Sequence, residues 1–143
     1  MTETTKPPTW FWVAGAFALI WNLMGVAAYL MQVMMTEEMI AALPEAERAL
    51  FLELPAWAVG AFAISVFGGA LGSLLLLLRT RAAMAVLIVS LIGIVVQMIH
   101  SFFIADSMEV YGPGVLIIPI MVLVIGFVLV WFATSSIAKG WLT

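Results

Sequence analysis

The sequence predicts an all-α integral membrane protein: a four-helix bundle with both termini cytoplasmic and a short amphipathic helix in the first outer loop. Three observations carry this. The chain is 66% hydrophobic and 9% charged, with a mean hydropathy of +1.24, whereas a soluble domain is roughly half apolar and a quarter charged. Its apolar residues gather in four runs, about 11–35, 56–78, 82–104 and 115–133, each near the ~20 residues a helix needs to cross a ~30 Å hydrocarbon layer. Finally, Arg79 and Arg81 follow five leucines, Leu74 to Leu78, and precede the next apolar run. A central leucine gains only ~0.3–0.6 kcal/mol while a central arginine costs ~2.5–3.5 kcal/mol, so both arginines belong in a turn at a water interface.

Residues 1–143 leave room for a single transmembrane domain and no separate soluble one. The first nine residues are a polar lead-in with Pro7-Pro8, and Trp10 and Trp12 mark an aromatic belt where the chain enters the membrane. The first span is too long for the apolar region of a secretory leader and is read as uncleaved. One face carries Gly15, Ala18, Asn22, Gly25, Tyr29 and Gln32 at alternating three- and four-residue steps. Such a seam of small and polar groups suits either close helix packing or a wall facing a solute.

Residues 36–54 are the longest extramembrane piece. Thr36 can cap a helix whose first turn holds Glu37 and Glu38, and Pro44 suits a first helical position. Ala46, Ala49, Leu50 and Leu54 then alternate with Glu45, Glu47, Arg48 and Glu53, the pattern of an amphipathic helix on the bundle mouth or the lipid interface. The second span opens at Pro55 and Trp57 and holds Gly68, Gly69 and Gly72, with Ser65 and Ser73 one step round. Small residues four apart on adjoining faces mark a close helix contact, within the bundle or between protomers.

The third span carries Ser90, Gly93, Gln97 and Ser101, with His100 adjacent. Polar groups at this depth face the bundle interior, and an ionisable one is a functional-site hypothesis. His100 lies near the outer end, where an interface residue or helix glue competes with a pH-responsive group. Gly112-Pro113-Gly114 set a tight turn into the fourth span, whose far end is marked by Trp131, an exit at Ser135-Ser136, and Lys139 with Trp141 as anchors.

Placing Arg79 and Arg81 in the cytoplasm also puts Lys6 and Lys139 inside and leaves Arg48 outside, in keeping with the positive-inside rule. Glu37, Glu38, Asp106 and Glu109 then form an acidic outer mouth that either attracts cations or keeps the opening hydrated. The candidate polar cavity is Asn22, Tyr29, Gln32, Gln97, His100 and Ser101. The candidate packing positions are Gly15, Gly25, Gly68, Gly69 and Gly72.

Composition narrows function. A net charge of −3 leaves no basic patch for nucleic acid. No cysteine is present, which removes thiolate nucleophiles and cysteine-held metal. No catalytic triad, His-Glu-x-x-His or phosphate loop occurs, so neither enzymatic chemistry nor a cofactor is expected. The frequent methionines read as packing filler.

Trp21-Asn22-Leu23-Met24-Gly25, Phe67-Gly68-Gly69-Ala70-Leu71-Gly72, Tyr111-Gly112-Pro113-Gly114 and Ala138-Lys139-Gly140-Trp141-Leu142 resemble a family of small four-helix bacterial inner-membrane proteins, often labelled "sugar transporter". The resemblance covers nearly the whole chain and implies a multi-pass protein of the bacterial inner membrane. The Pro-Gln motif of three-helix sugar half-transporters is absent, and where small multidrug exporters carry a glutamate in the first helix this chain has Asn22. DoxX-type proteins are similar in architecture alone. Two readings follow: an accessory or structural bundle that joins itself or a larger membrane partner, and a protomer of an oligomeric transporter for a small neutral solute such as a sugar. Beyond these, the bilayer is the one expected partner.

Overall fold

A computed structural model describes residues 6–104, 112, 114 and 117–143. Four of its helices are long and apolar enough to cross a membrane. Helix α1 is Thr9–Val33, α2 Glu37–Ala41, α3 Glu45–Leu52, α4 Ala56–Leu77, α5 Ala82–Ile99 and α6 Ile117–Ala138. α5 is extended by a π-helical turn, His100–Ile104. The described residues contain no strand.

The four long helices pack in the order α1, α4, α5, α6, each against the next. Lipid tails are as apolar as leucine, so these contacts rest on close packing and on hydrogen bonds between helices. The segment between α1 and α4 folds as two short helices, α2 and α3, as the Thr36 cap and the restart at Pro44 suggest. Thr36 Oγ1 accepts from Met39 N–H at 3.2 Å and caps α2, while Pro44 sits just before α3 as its N-cap residue, not as its first helical one.

The arginine turn is a Schellman closure. Arg79 adopts φ +58°, its N–H donates to Leu76 O, and Thr80 N–H donates to Leu75 O. α6 ends the same way: Gly140 has φ +76°, its N–H donates to Ile137 O, and Trp141 N–H donates to Ser136 O. The two closures are tied together. Arg79 Nε donates to Trp141 O at 2.8 Å, and Arg79 O accepts from Thr143 N–H at 2.8 Å and from Thr143 Oγ1 at 3.1 Å.

One expectation is corrected at this end. The helix itself runs on through Ser135-Ser136 to Ala138. The neighbouring Thr134 hydroxyl donates to Val130 O at 2.9 Å, the i−4 bond by which such residues stay helical. Trp141, expected as an interface anchor, is buried. It meets Phe11 edge to face at 5.7 Å and Trp10 at 5.3 Å, with Lys139 Nζ 4.8 Å from its ring centre. Phe11 in turn stacks on Phe132 at 5.5 Å. The Phe11, Phe132 and Trp141 rings, with Leu76, Ala83, Leu129, Ala133 and Leu142, form the packed core, which lies at the arginine end.

Candidate functional site

Glycines set how closely the helices approach. On the seam between α1 and α4, a Cβ on Gly15 would come within 2.7 Å of Leu77, one on Gly25 within 3.0 Å of Val66, and one on Gly69 would overlap the Asn22 amide. Asn22 Nδ2 donates to Ala18 O at 2.8 Å and to Ser73 Oγ at 3.2 Å, so both of its protons are engaged. On the adjoining face of α4, Gly68 sits against Ser90 and Gly72 against Leu87 of α5. Gly93 of α5 meets the α4 backbone at Ala61 O, 3.0 Å from where a Cβ would be. Ser90 Oγ donates to Ser65 O at 2.6 Å, and Ser65 Oγ to Phe62 O at 2.8 Å.

α1 and α6 meet differently. Aromatic rings join them at the arginine end, yet they share no extensive backbone contact. Between them, backed by α4 and α5, lies a cavity of about 650 Å³, within the range of small-molecule sites. α1 contributes Trp21, Asn22, Met24, Gly25 and Ala28; α4 contributes Phe62, Ser65 and Val66. α5 and its π turn supply Leu87, Ser90, Ile94, Gln97, Met98, Ser101 and Phe102, and α6 an apolar wall from Ile118 to Leu129.

Exposure locates the opening. Every lining residue of α4 and α5 is buried or half-buried. The lining residues that are also exposed are Met24 and Ala28 on α1 and Ile118 and Met121 on α6. The cavity therefore opens sideways, through a slot between α1 and α6. At 1.5 Å per residue, Ala28 lies about 8 Å from the end of α1 and Met121 about 6 Å from the start of α6, so the slot belongs to the half of the bundle away from Arg79.

Of the residues expected in a polar cavity, Asn22, Gln97 and Ser101 line it, while Tyr29, Gln32 and His100 do not. The Tyr29 ring stands edge-on to Phe62 at 5.4 Å and Phe67 at 5.5 Å. His100 is buried, edge-on to Trp57 at 5.2 Å. Glu37 and Glu38 are exposed on α2, and Asp106 and Glu109 lie outside the described residues. Among the described residues no group of three His, Asp or Glu side chains could hold a metal ion.

Sequence reasoning took Ser65 as a packing residue and passed over the α6 wall entirely. Searches against protein-family models, curated proteins and solved structures find no match to this chain. Fold and cavity together define a class: a bundle of four helices long and apolar enough to span a membrane, with a cavity open at its flank.

Proposed function

We propose that this is a non-enzymatic accessory protein of the bacterial inner membrane that binds a small molecule dissolved in the bilayer. The supporting observation is the slot between α1 and α6, whose rim of Met24, Ala28, Ile118 and Met121 is both cavity-lining and exposed. A ligand reaching the cavity through that rim comes from lipid. The proposal includes the orientation expected from charge, with Arg79, Arg81 and both termini in the cytoplasm and the slot in the outer leaflet. Association through the glycine seams is no longer part of the reading, because Gly15, Gly25, Gly68, Gly69 and Gly72 are occupied within the bundle.

Native mass spectrometry from nanodiscs tests binding. The expected result is a small-molecule adduct that Met121→Trp, which fills the rim, removes; an adduct-free spectrum contradicts the proposal. Labelling of Thr80→Cys from the periplasmic side of intact cells contradicts the orientation. A second reading, a transport protomer for a small neutral solute, draws on the Gln97 and Ser101 polar pair in the wall. Four helices per chain are few for alternating access, so it requires an oligomer. Proteoliposome uptake of a sugar that Gln97→Ala abolishes supports it, and uptake unchanged by that substitution removes it.

A further inference from the structure

The cavity's polar groups are not equivalent, and their hydrogen bonds sort them. Asn22 spends both amide protons on Ala18 and Ser73, and its Oδ1 lies against Gly69. The hydroxyl protons of Ser65 and Ser90 go to the carbonyls of Phe62 and Ser65. Gln97 and Ser101 differ, with no side-chain hydrogen bond to any described residue. They are four residues apart on one face of α5, half-buried, and in the cavity wall. Ser101 belongs to the π turn, a feature frequent at functional sites.

Below this pair Leu87, Ile94, Ile125 and Leu129 make the wall apolar, and the Asn22, Ser65 and Ser90 groups among them already spend their protons within the bundle. From Gln97 to Leu87 the helix descends about 15 Å, half of a ~30 Å hydrocarbon layer. Among the described residues no lysine, arginine, histidine or carboxylate lines the cavity. An ionised head would be desolvated there without a counter-charge, a cost of several kcal/mol or more. Gln97 and Ser101 can each donate and accept.

Resting on the binding role proposed above, we infer that the occupant is a neutral lipid. Its uncharged hydroxyl or carbonyl head bonds Gln97 and Ser101, and one leaflet's length of apolar chain runs down between α1 and α6 toward Leu129. The head is selected by hydrogen bonding and the charge by exclusion.

Photolabelling in nanodiscs tests this with three probes that carry a diazirine in the same long chain: an alcohol, the matching carboxylic acid in its ionised form, and the matching hydrocarbon. The alcohol is expected to label the peptides holding Leu87–Ile94 and Ile125–Leu129, and the ionised acid to label them far less. Gln97→Met, which keeps size and removes the amide, should weaken alcohol labelling by roughly three- to tenfold, the worth of one or two neutral hydrogen bonds. Hydrocarbon labelling should stay unchanged, which also reports that the variant is folded. Equal labelling by acid and alcohol, or indifference of the alcohol to Gln97→Met, overturns the neutral-head assignment and leaves binding standing. Labelling of the cavity by none of the probes, or its blockage by a co-purifying polypeptide, overturns both.

Discussion

Replacing Gly69 by alanine puts a methyl group where the Asn22 amide already lies, and the cost follows from that overlap. Alanine is worth ~0.8–1.0 kcal/mol over glycine in a helix. Against this, an inserted methyl in a close-packed contact costs ~1–3 kcal/mol. Displacing the Asn22 side chain also breaks its bond to Ser73, about 0.6 kcal/mol for a polar pair between membrane helices. The net is a loss of about 0.6–2.8 kcal/mol. Asn22→Ala alone should cost about 0.6 kcal/mol and at most ~1.7. In the double variant the obstructing amide is gone, so the new methyl finds space and stability returns close to that of Asn22→Ala. A double-mutant cycle, read by reversible unfolding in mixed micelles, should therefore give a coupling as large as the cost of Gly69→Ala itself, about 0.6–2.8 kcal/mol. Additivity within ~0.5 kcal/mol would refute a direct contact between these two positions and with it the α1–α4 register.

Other consequences lie at the arginine end. Ser136 Oγ is buried with no partner among the described residues, so Ser136→Ala should raise stability in the same assay by about 1 kcal/mol; a loss of that size would mean the hydroxyl is bonded. Gly140→Ala forces a side chain into φ +76° and should cost about 1–2 kcal/mol, against no change if the closure were dispensable. Arg79→Lys removes the Nε–H that holds Trp141 O and should speed hydrogen exchange of the Trp141 and Thr143 amides, whereas unchanged rates would show that the guanidinium does not hold this end.

The spans were legible because a bilayer sets their length and an arginine pair cannot hide in it, so the turn at Arg79 and Arg81 was plain from sequence. The glycines were legible as seams but not as partners. Gly68 and Gly72 share one face and Gly69 the next, and only coordinates assign those faces to α5 and α1. The cavity's α6 wall was invisible for a physical reason. Val122 lines the cavity and Val124 faces outward, yet both environments are apolar, so hydropathy has nothing to separate them. Gln97 and Ser101 announced themselves as polar side chains within an apolar span. His100, one residue round, turned to Trp57 instead.

The lateral slot is the centre of the account, and an oxygen-accessibility scan of single spin labels along α6 in bilayers tests it most directly, with no native cysteine to interfere. Labels at Met121 and Val122 should be reached by lipid-dissolved oxygen nearly as well as one at outward-facing Val124, while Ala133 in the packed core stays protected. Protection of Val122 equal to that of Ala133 would mean that α1 and α6 close along their whole length and that lipid has no path into the cavity.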